Sequence, residues 1–324
     1  MRFTSLGHLE QISRLALGGG GLGQVWGETT RGEAVETMHA AIDAGINLID
    51  AAPIYGDFEN VIADAFAGDL PAGVRITTKV MLGEQPVGEA GAKIRATLEA
   101  SLEAMNLDRV DLLFLHSNIC EDDYDYAHGN QHRAAFATPW SQYLDEVIPT
   151  FEALTTDQTI GGWALTGTGV PATILKALTH ETKPDVVQAV GNLMDTPGGM
   201  RRYAGRAQPR EIIATATALD IGVMGIRAVQ AGALTDAIDR TMSDNHPETT
   251  DFRAAAPYRE LCAGLGLSAA ATAHRYALDM TGVDTVVLGV KNRTELAECI
   301  AAEAAGPLPG DIRKQIDELE LRID

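Results

Sequence analysis

Four ionisable side chains fall where apolar runs end: Asp50 closes "INLID", Tyr55 follows within "APIYGDFEN", Lys79 stands in "RITTKV", and His116 closes "DLLFLH". Singly, each has an ordinary explanation. Asp50 reads as a capping acid, Tyr55 as a packing aromatic, Lys79 as a lysine reaching the surface and His116 as a satisfied loop histidine. Their recurrence at three consecutive strand ends points instead to chemistry. A free phenol ionises near pH ~10, and a lysine ammonium beside it stabilises the phenolate and lowers that value, which makes Tyr55 a usable general acid. Lys79 in an apolar mouth keeps its charge only against a carboxylate, and Asp50 supplies one. His116 donates a hydrogen bond to a substrate carbonyl and orients its carbon for attack. The scheme uses no metal, no Ser-His-Asp set and no pair of carboxylates. What it lacks is a nucleophile, and hydride from a nicotinamide fits.

Residues so far apart meet only if the elements carrying them converge. Eight short runs rich in Val, Ile and Leu, at 14–19, 46–50, 75–80, 111–116, 161–167, 186–192, 222–229 and 284–290, alternate with helical patterns such as "GEAVETMHAAIDAG" and "PREIIATATALD". This alternation is the signature of parallel strands buried on both faces. Eight such units predict a (β/α)8 TIM barrel spanning residues 1–324 as a single domain, with an N-terminal β-hairpin, "MRFTSLG" to "LEQIS", closing the bottom. The C-terminal strand ends then share one mouth. Two long connections, residues 117–140 and 230–260, follow strands and belong to that face. The "GGGGLG" at 18–23 matches a dinucleotide fingerprint in spacing. However, "QVWGETTRG" separates it from the next helical pattern, so the open Rossmann sheet ranks second and the glycines read as room for backbone beside a ligand.

Composition sets limits on the partners. The chain has 324 residues, 45% hydrophobic and 22% charged, with a formal net charge of −20. That charge argues against nucleic acid and against an anionic membrane surface, and it requires a local basic cluster for any phosphate-bearing ligand. Cys120, Cys262 and Cys299 are widely spaced and show neither a disulfide framework nor a zinc spacing. No basic segment followed by a sustained apolar run opens the chain, and no run is long enough to span a bilayer, so a mature cytoplasmic protein is expected. His128 and His132 with Asp122, Asp123 and Asp125 are too loosely spaced for a metal site.

"GINLIDAAPIYGDFENVIADAF", "ITTKV" and "DLLFLH" resemble, in order and spacing, the Asp, Tyr, Lys and His segments of the aldo-keto reductases. The resemblance extends from "ISRLALGGGG" to "LGVKNRTELAECIAA". It implies a barrel that binds NADP(H), or less often NAD(H), and a catalytic tetrad of Asp50, Tyr55, Lys79 and His116. It further implies that Thr166 and Gln188 hold the carboxamide. Ile226 and Arg227 replace the family's usual aromatic and serine, so nicotinamide stacking falls to other contacts, the planar guanidinium of Arg227 among them; a salt-bridged framework arginine is the alternative. Gly289, Lys291 and Arg293 face the adenosine phosphate, and Glu298 contacts adenine or ribose beside Cys299, where the family often has Asn. NADP(H) is accordingly expected ahead of NAD(H). Trp26 and Trp140 are candidate walls of the substrate pocket, with core packing as the alternative for each.

The expected activity is hydride transfer between nicotinamide and a carbonyl or alcohol carbon of a small aldehyde, ketone or sugar. "LTGTG" and the insertion after His116 resemble the sugar-dehydrogenase branch, which oxidises an aldose. A second reading is a nicotinamide-sensing regulatory subunit of the same fold with negligible turnover.

Overall fold

A computed structural model describes residues 1–126 and 129–322. In chain order, β1 (Phe3–Leu6) and β2 (Leu9–Ser13) form an antiparallel hairpin that leads into β3 (Leu15–Gly18), β4 (Leu48–Asp50), β5 (Arg75–Val80) and β6 (Leu112–Leu115). Then come β7 (Asn118–Cys120), β8 (Ala137–Pro139), β9 (Trp163–Thr166), β10 (Val186–Val190), β11 (Gly222–Ile226) and β12 (Thr285–Leu288). Eight of these close a barrel in the order β10-β11-β12-β3-β4-β5-β6-β9. Neighbours in it run parallel, as between β4 and β5, where Asp50 pairs with Thr77. Each of the eight apolar runs supplies one barrel strand. The closed sheet excludes the open Rossmann arrangement.

Burial on both faces explains the composition of the strands. All four residues of β6 and all five of β10 are buried, one face against the barrel interior and the other against helices. The helices carry ordinary signals. Thr30 caps Arg31–Asp43 by accepting a hydrogen bond from the Glu33 amide at 3.1 Å, and Ala90–Met105 stops at a left-handed Asn106 (φ 55°).

The hairpin seals the N-terminal end. Leu6, Leu9 and Ile12 join Ala16, Leu48, Leu112, Ala164 and Val186 in one buried cluster. Full burial of a Leu or Ile is worth roughly 1.5–3 kcal/mol, so the plug contributes appreciably to stability. Only the opposite mouth is left for ligands.

The two long connections hold more structure than their sequence predicts. In the first, β7 and β8 pair as a short parallel ribbon, with helix Asn130–Phe136 running into β8. The second contains helix Pro247–Ala254 and the start of Ala256–Gly264. No helix among the described residues is long and apolar enough to cross a membrane.

Candidate active site

Register brings the ionisable residues together. Asp50 is the last residue of β4, Lys79 stands next to last in β5, and His116 follows β6 directly, its amide bonded to the Val80 carbonyl at 2.9 Å. Lys79 is fully buried. Its Nζ donates to Asp50 Oδ1 at 2.7 Å and to the Ala51 carbonyl at 2.7 Å. The same carboxylate oxygen accepts from Thr77 Oγ1 at 2.8 Å and Gln188 Nε2 at 2.9 Å. Three donors on one oxygen offset the desolvation of a buried charge.

Tyr55 lies in the turn after β4. Lys79 Nζ sits 4.8 Å from its ring centroid, and the His116 ring meets it edge-on, with centroids 5.9 Å apart and planes at 84°. Burial, helped by the Asp50 charge, holds the Tyr55 phenol well above the usual tyrosine range. This reverses the expected lowering by Lys79, whose ammonium is hydrogen-bonded to Asp50 and Ala51. Burial also lowers Lys79, against the opposing pull of Asp50. His116 is pushed down to about 3 by burial and by the Lys79 charge, so its ring is neutral near pH 7. Its Nδ1 is buried without a hydrogen-bond partner among the described residues.

Asp50, Tyr55 and His116 line a cavity of about 710 Å³ at the open mouth, a size in the ordinary range of ligand pockets. Trp26, Ile54, Met81 and Phe136 form apolar walls, while Gly289, Lys291, Glu295, Glu298 and Cys299 line the part beyond β12.

Residues 14–321 match the model of the Aldo/keto reductase family. The chain belongs to the aldo/keto reductase family. An L-galactose dehydrogenase of Arabidopsis thaliana is 22% identical to this aldo/keto reductase over 320 residues, covering 97% of this chain and 91% of its own. A glycerol dehydrogenase from Gluconobacter oxydans superposes with a TM-score of 0.70 at 22% identity, covering 98% of this chain and 94% of its own. The holo form of an aldo-keto reductase from Bacillus halodurans also gives 0.70, at 19% identity, covering 98% and 96%. The family is one of nicotinamide-dependent oxidoreductases, and this chain is one of them.

In this aldo/keto reductase Thr166, Gln188, Arg227, Gly289, Lys291, Glu298 and Trp26 all line the cavity. Their attachments differ from expectation in several places. Gln188 braces Asp50 with its amide. Arg227, left-handed at φ 60°, donates from Nε to Gln230 Oε1 at 2.9 Å and from Nη2 to Glu248 Oε1 at 2.8 Å. It therefore clamps the segment after β11. Lys291 bridges Asp239 at 2.5 Å and Glu295 at 2.8 Å.

Two of the expected cofactor and substrate residues are not brought to the cavity. Arg293 turns outward onto Glu33 at 2.9 Å and Glu36 at 3.6 Å. Trp140 packs beside Tyr143 and His180, with Lys176 Nζ 4.1 Å from its ring. The glycine turn lines the cavity through Gly18, Gly19 and Gly20 and also packs closely against protein. A Cβ at Gly20 would lie 2.1 Å from Trp26 Nε1, at Gly21 2.1 Å from the Val290 carbonyl and at Gly23 1.7 Å from the Tyr55 carbonyl. These glycines let the mouth close on itself.

The sequence reading missed Asp239, Arg240, Glu295, Phe136 and Arg202, all of which line the cavity. Most lie in the long connections, where no periodicity marks them. Among the described residues no group of three or more His, Cys, Asp or Glu could hold a metal ion; His128 lies outside the described residues.

The residues present fit a nicotinamide cofactor. Thr166 Oγ1, at the end of β9, is buried without a partner among the described residues and is available to an amide. Gly18, Gly19 and Gly20 expose backbone to the cavity, and Lys291 brings a cation to its far part.

Proposed function

We propose that Tyr55 is the proton donor when a carbonyl is reduced and the proton acceptor when an alcohol is oxidised, in hydride transfer to or from a small aldehyde, ketone or sugar. The carrying observation is the Asp50–Lys79 ion pair beneath the Tyr55 ring, with neutral His116 edge-on beside it. A nicotinamide bound along the cavity supplies the hydride, or takes it up in oxidation. Neutral His116 donates a hydrogen bond to the substrate oxygen and fixes its position. The raised phenol of Tyr55 keeps its proton until negative charge develops on that oxygen, and then gives it up. Lys79, 4.8 Å from the ring, stabilises the phenolate left behind, and Asp50 keeps Lys79 charged. A sugar substrate draws support from the likeness to the plant L-galactose dehydrogenase.

Thr166 is proposed to bind the carboxamide, with the free oxygen of Gln188 beside it. Gly289 and Lys291 are proposed to face the adenosine phosphate and Glu298 the ribose. A preference for NADP(H) over NAD(H) now rests on Lys291, which Asp239 and Glu295 share, so we propose a weak one, within about tenfold. A cytoplasmic setting agrees with three free, buried cysteines.

Titrations with NADPH and NADH, followed by quenching of tryptophan fluorescence, test this reading together with turnover of an aldehyde and aldose panel. Both cofactors should bind, NADPH somewhat more tightly, and at least one carbonyl or aldose should turn over. Binding without turnover of any substrate would favour the sensor. No binding of either cofactor would overturn both readings.

A further inference from the structure

Among the described residues four cationic side chains, of Arg and Lys, line the cavity, and three are held by carboxylates. Arg227 pairs with Glu248, Arg240 with Asp239 at 3.3 Å, and Lys291 with Asp239 and Glu295. Arg202 is different. Its guanidinium lies over the Phe136 ring, 3.8 Å from the centroid, and no carboxylate among the described residues pairs with it. In a chain with 45 acidic and 25 basic residues, an arginine inside a cavity wall without an acidic partner calls for a ligand. Contact with the ring face holds the guanidinium in place, and its N–H groups, which donate to no described residue, are available to an acceptor.

The place of Arg202 in the fold sets what that ligand is. β7 begins at Asn118, two residues beyond His116, and Asn118 pairs with Ala137. Phe136 directly precedes Ala137, so the stacked guanidinium sits on the His116 side of the mouth. The position is pinned from behind. Tyr203, the next residue, is buried with Tyr126, Ala137 and Cys120, and Asn118 Nδ2 donates to the Tyr126 hydroxyl at 2.9 Å. Of the five acids that line the cavity, Asp50 is held by Lys79, and Asp239 and Glu295 by Lys291, while Asp236 and Glu298 stand on the segments after β11 and β12 and form no ion pair with Arg202 among the described residues. Trp26, Ile54, Met81 and Met200 give the same cavity apolar lining, with Asn118 and Thr168 among its polar residues.

We propose that Arg202 is a substrate-binding residue and that the enzyme's substrate is an anionic carbonyl compound or its alcohol. Its reacting carbon lies against Tyr55 and His116, and its carboxylate or phosphate, at the far end of the molecule, is bound by the Arg202 guanidinium. This rests on the oxidoreductase reading and narrows its substrate class. A charged hydrogen-bonded pair of this kind is worth roughly ten- to a hundredfold in binding.

The test compares substrates that differ only in charge. 4-Carboxybenzaldehyde is set against 4-formylbenzamide, and glyceraldehyde 3-phosphate against glyceraldehyde, with wild type, Arg202→Gln and Arg202→Lys. For wild type, kcat/KM should favour the anion of at least one pair by roughly ten- to a hundredfold, mainly through KM. The favoured pair identifies carboxylate or phosphate. Arg202→Gln should bring the ratio close to one, Arg202→Lys should restore part of it, and added salt should narrow the wild-type ratio. Wild-type ratios near one for both pairs, or a ratio that survives Arg202→Gln, would overturn the proposal. If no carbonyl turns over, the oxidoreductase reading has failed. Calorimetric binding of 4-carboxybenzaldehyde to wild type and Arg202→Gln then decides the inference alone, equal affinities overturning it.

Discussion

Asp50 Oδ1 is the point on which the site's geometry turns, because Lys79, Thr77 and Gln188 all donate to it. Removing the cation would leave that carboxylate buried with neutral donors only. Lys79→Met should therefore lower unfolding stability by about 3–5 kcal/mol, measured by urea denaturation, in addition to any loss of activity. A change below about 1 kcal/mol would mean that the pair behaves as an exposed one. His116 supplies a pH signature. Folded, its ring takes up a proton only near pH 3, against 6.5 for the unperturbed group, so between those values the unfolded chain binds more protons. Stability should fall as pH drops through that window, and His116→Gln should flatten the slope. Turnover should show no histidine inflection between about pH 5 and 8. The meeting of Asp50, Lys79 and His116 at one mouth was legible because each stands at or next to a strand end. The direction of the Tyr55 shift was not, because it depends on burial by residues from distant strands. Gln188 lines the cavity, while its bond to Asp50, 138 positions away, leaves no local trace in the sequence.

Strands buried on both faces announce themselves, which is why all eight barrel strands could be read from their apolar runs. The three-residue β7 and β8 are too short to show a period, and with them the Phe136 and Arg202 wall stayed hidden. The ion pairs of charges near strand ends were hidden for a related reason. Arg293 was read as facing a phosphate, yet its partner Glu33 lies 260 positions away, and Arg227 is tied to Glu248 in a connection without pattern. The glycine turn between β3 and helix Arg31–Asp43 illustrates how an element shapes the site through contact. A methyl at Gly20 would meet Trp26 Nε1 at 2.1 Å, so Gly20→Ala should push that indole out of the wall. The expected result is a loss of roughly 1–3 kcal/mol in stability, altered tryptophan emission and a KM for substrate that rises more than kcat falls. Unchanged emission and KM would show that the indole does not depend on the turn.

The whole molecule combines a sealed end, an open end and a net charge of −20. The hairpin plugs the barrel floor, so cofactor and substrate both enter at the mouth, where the strand ends deliver the tetrad. An acidic protein that binds an anionic dinucleotide relies on a few local cations, and here most of those are already paired with carboxylates. Binding at the far part of the cavity therefore depends as much on backbone and hydroxyl groups as on charge, and it is separable from the proton transfer at Tyr55. That separation provides the most direct test of the account, which is steady-state turnover and cofactor titration of Tyr55→Phe beside wild type. Loss of the phenol proton should cut turnover by roughly a hundred- to ten-thousandfold, with cofactor affinity changed by no more than about twofold. Wild-type turnover in a folded Tyr55→Phe enzyme would contradict the assignment of Tyr55 as the acid.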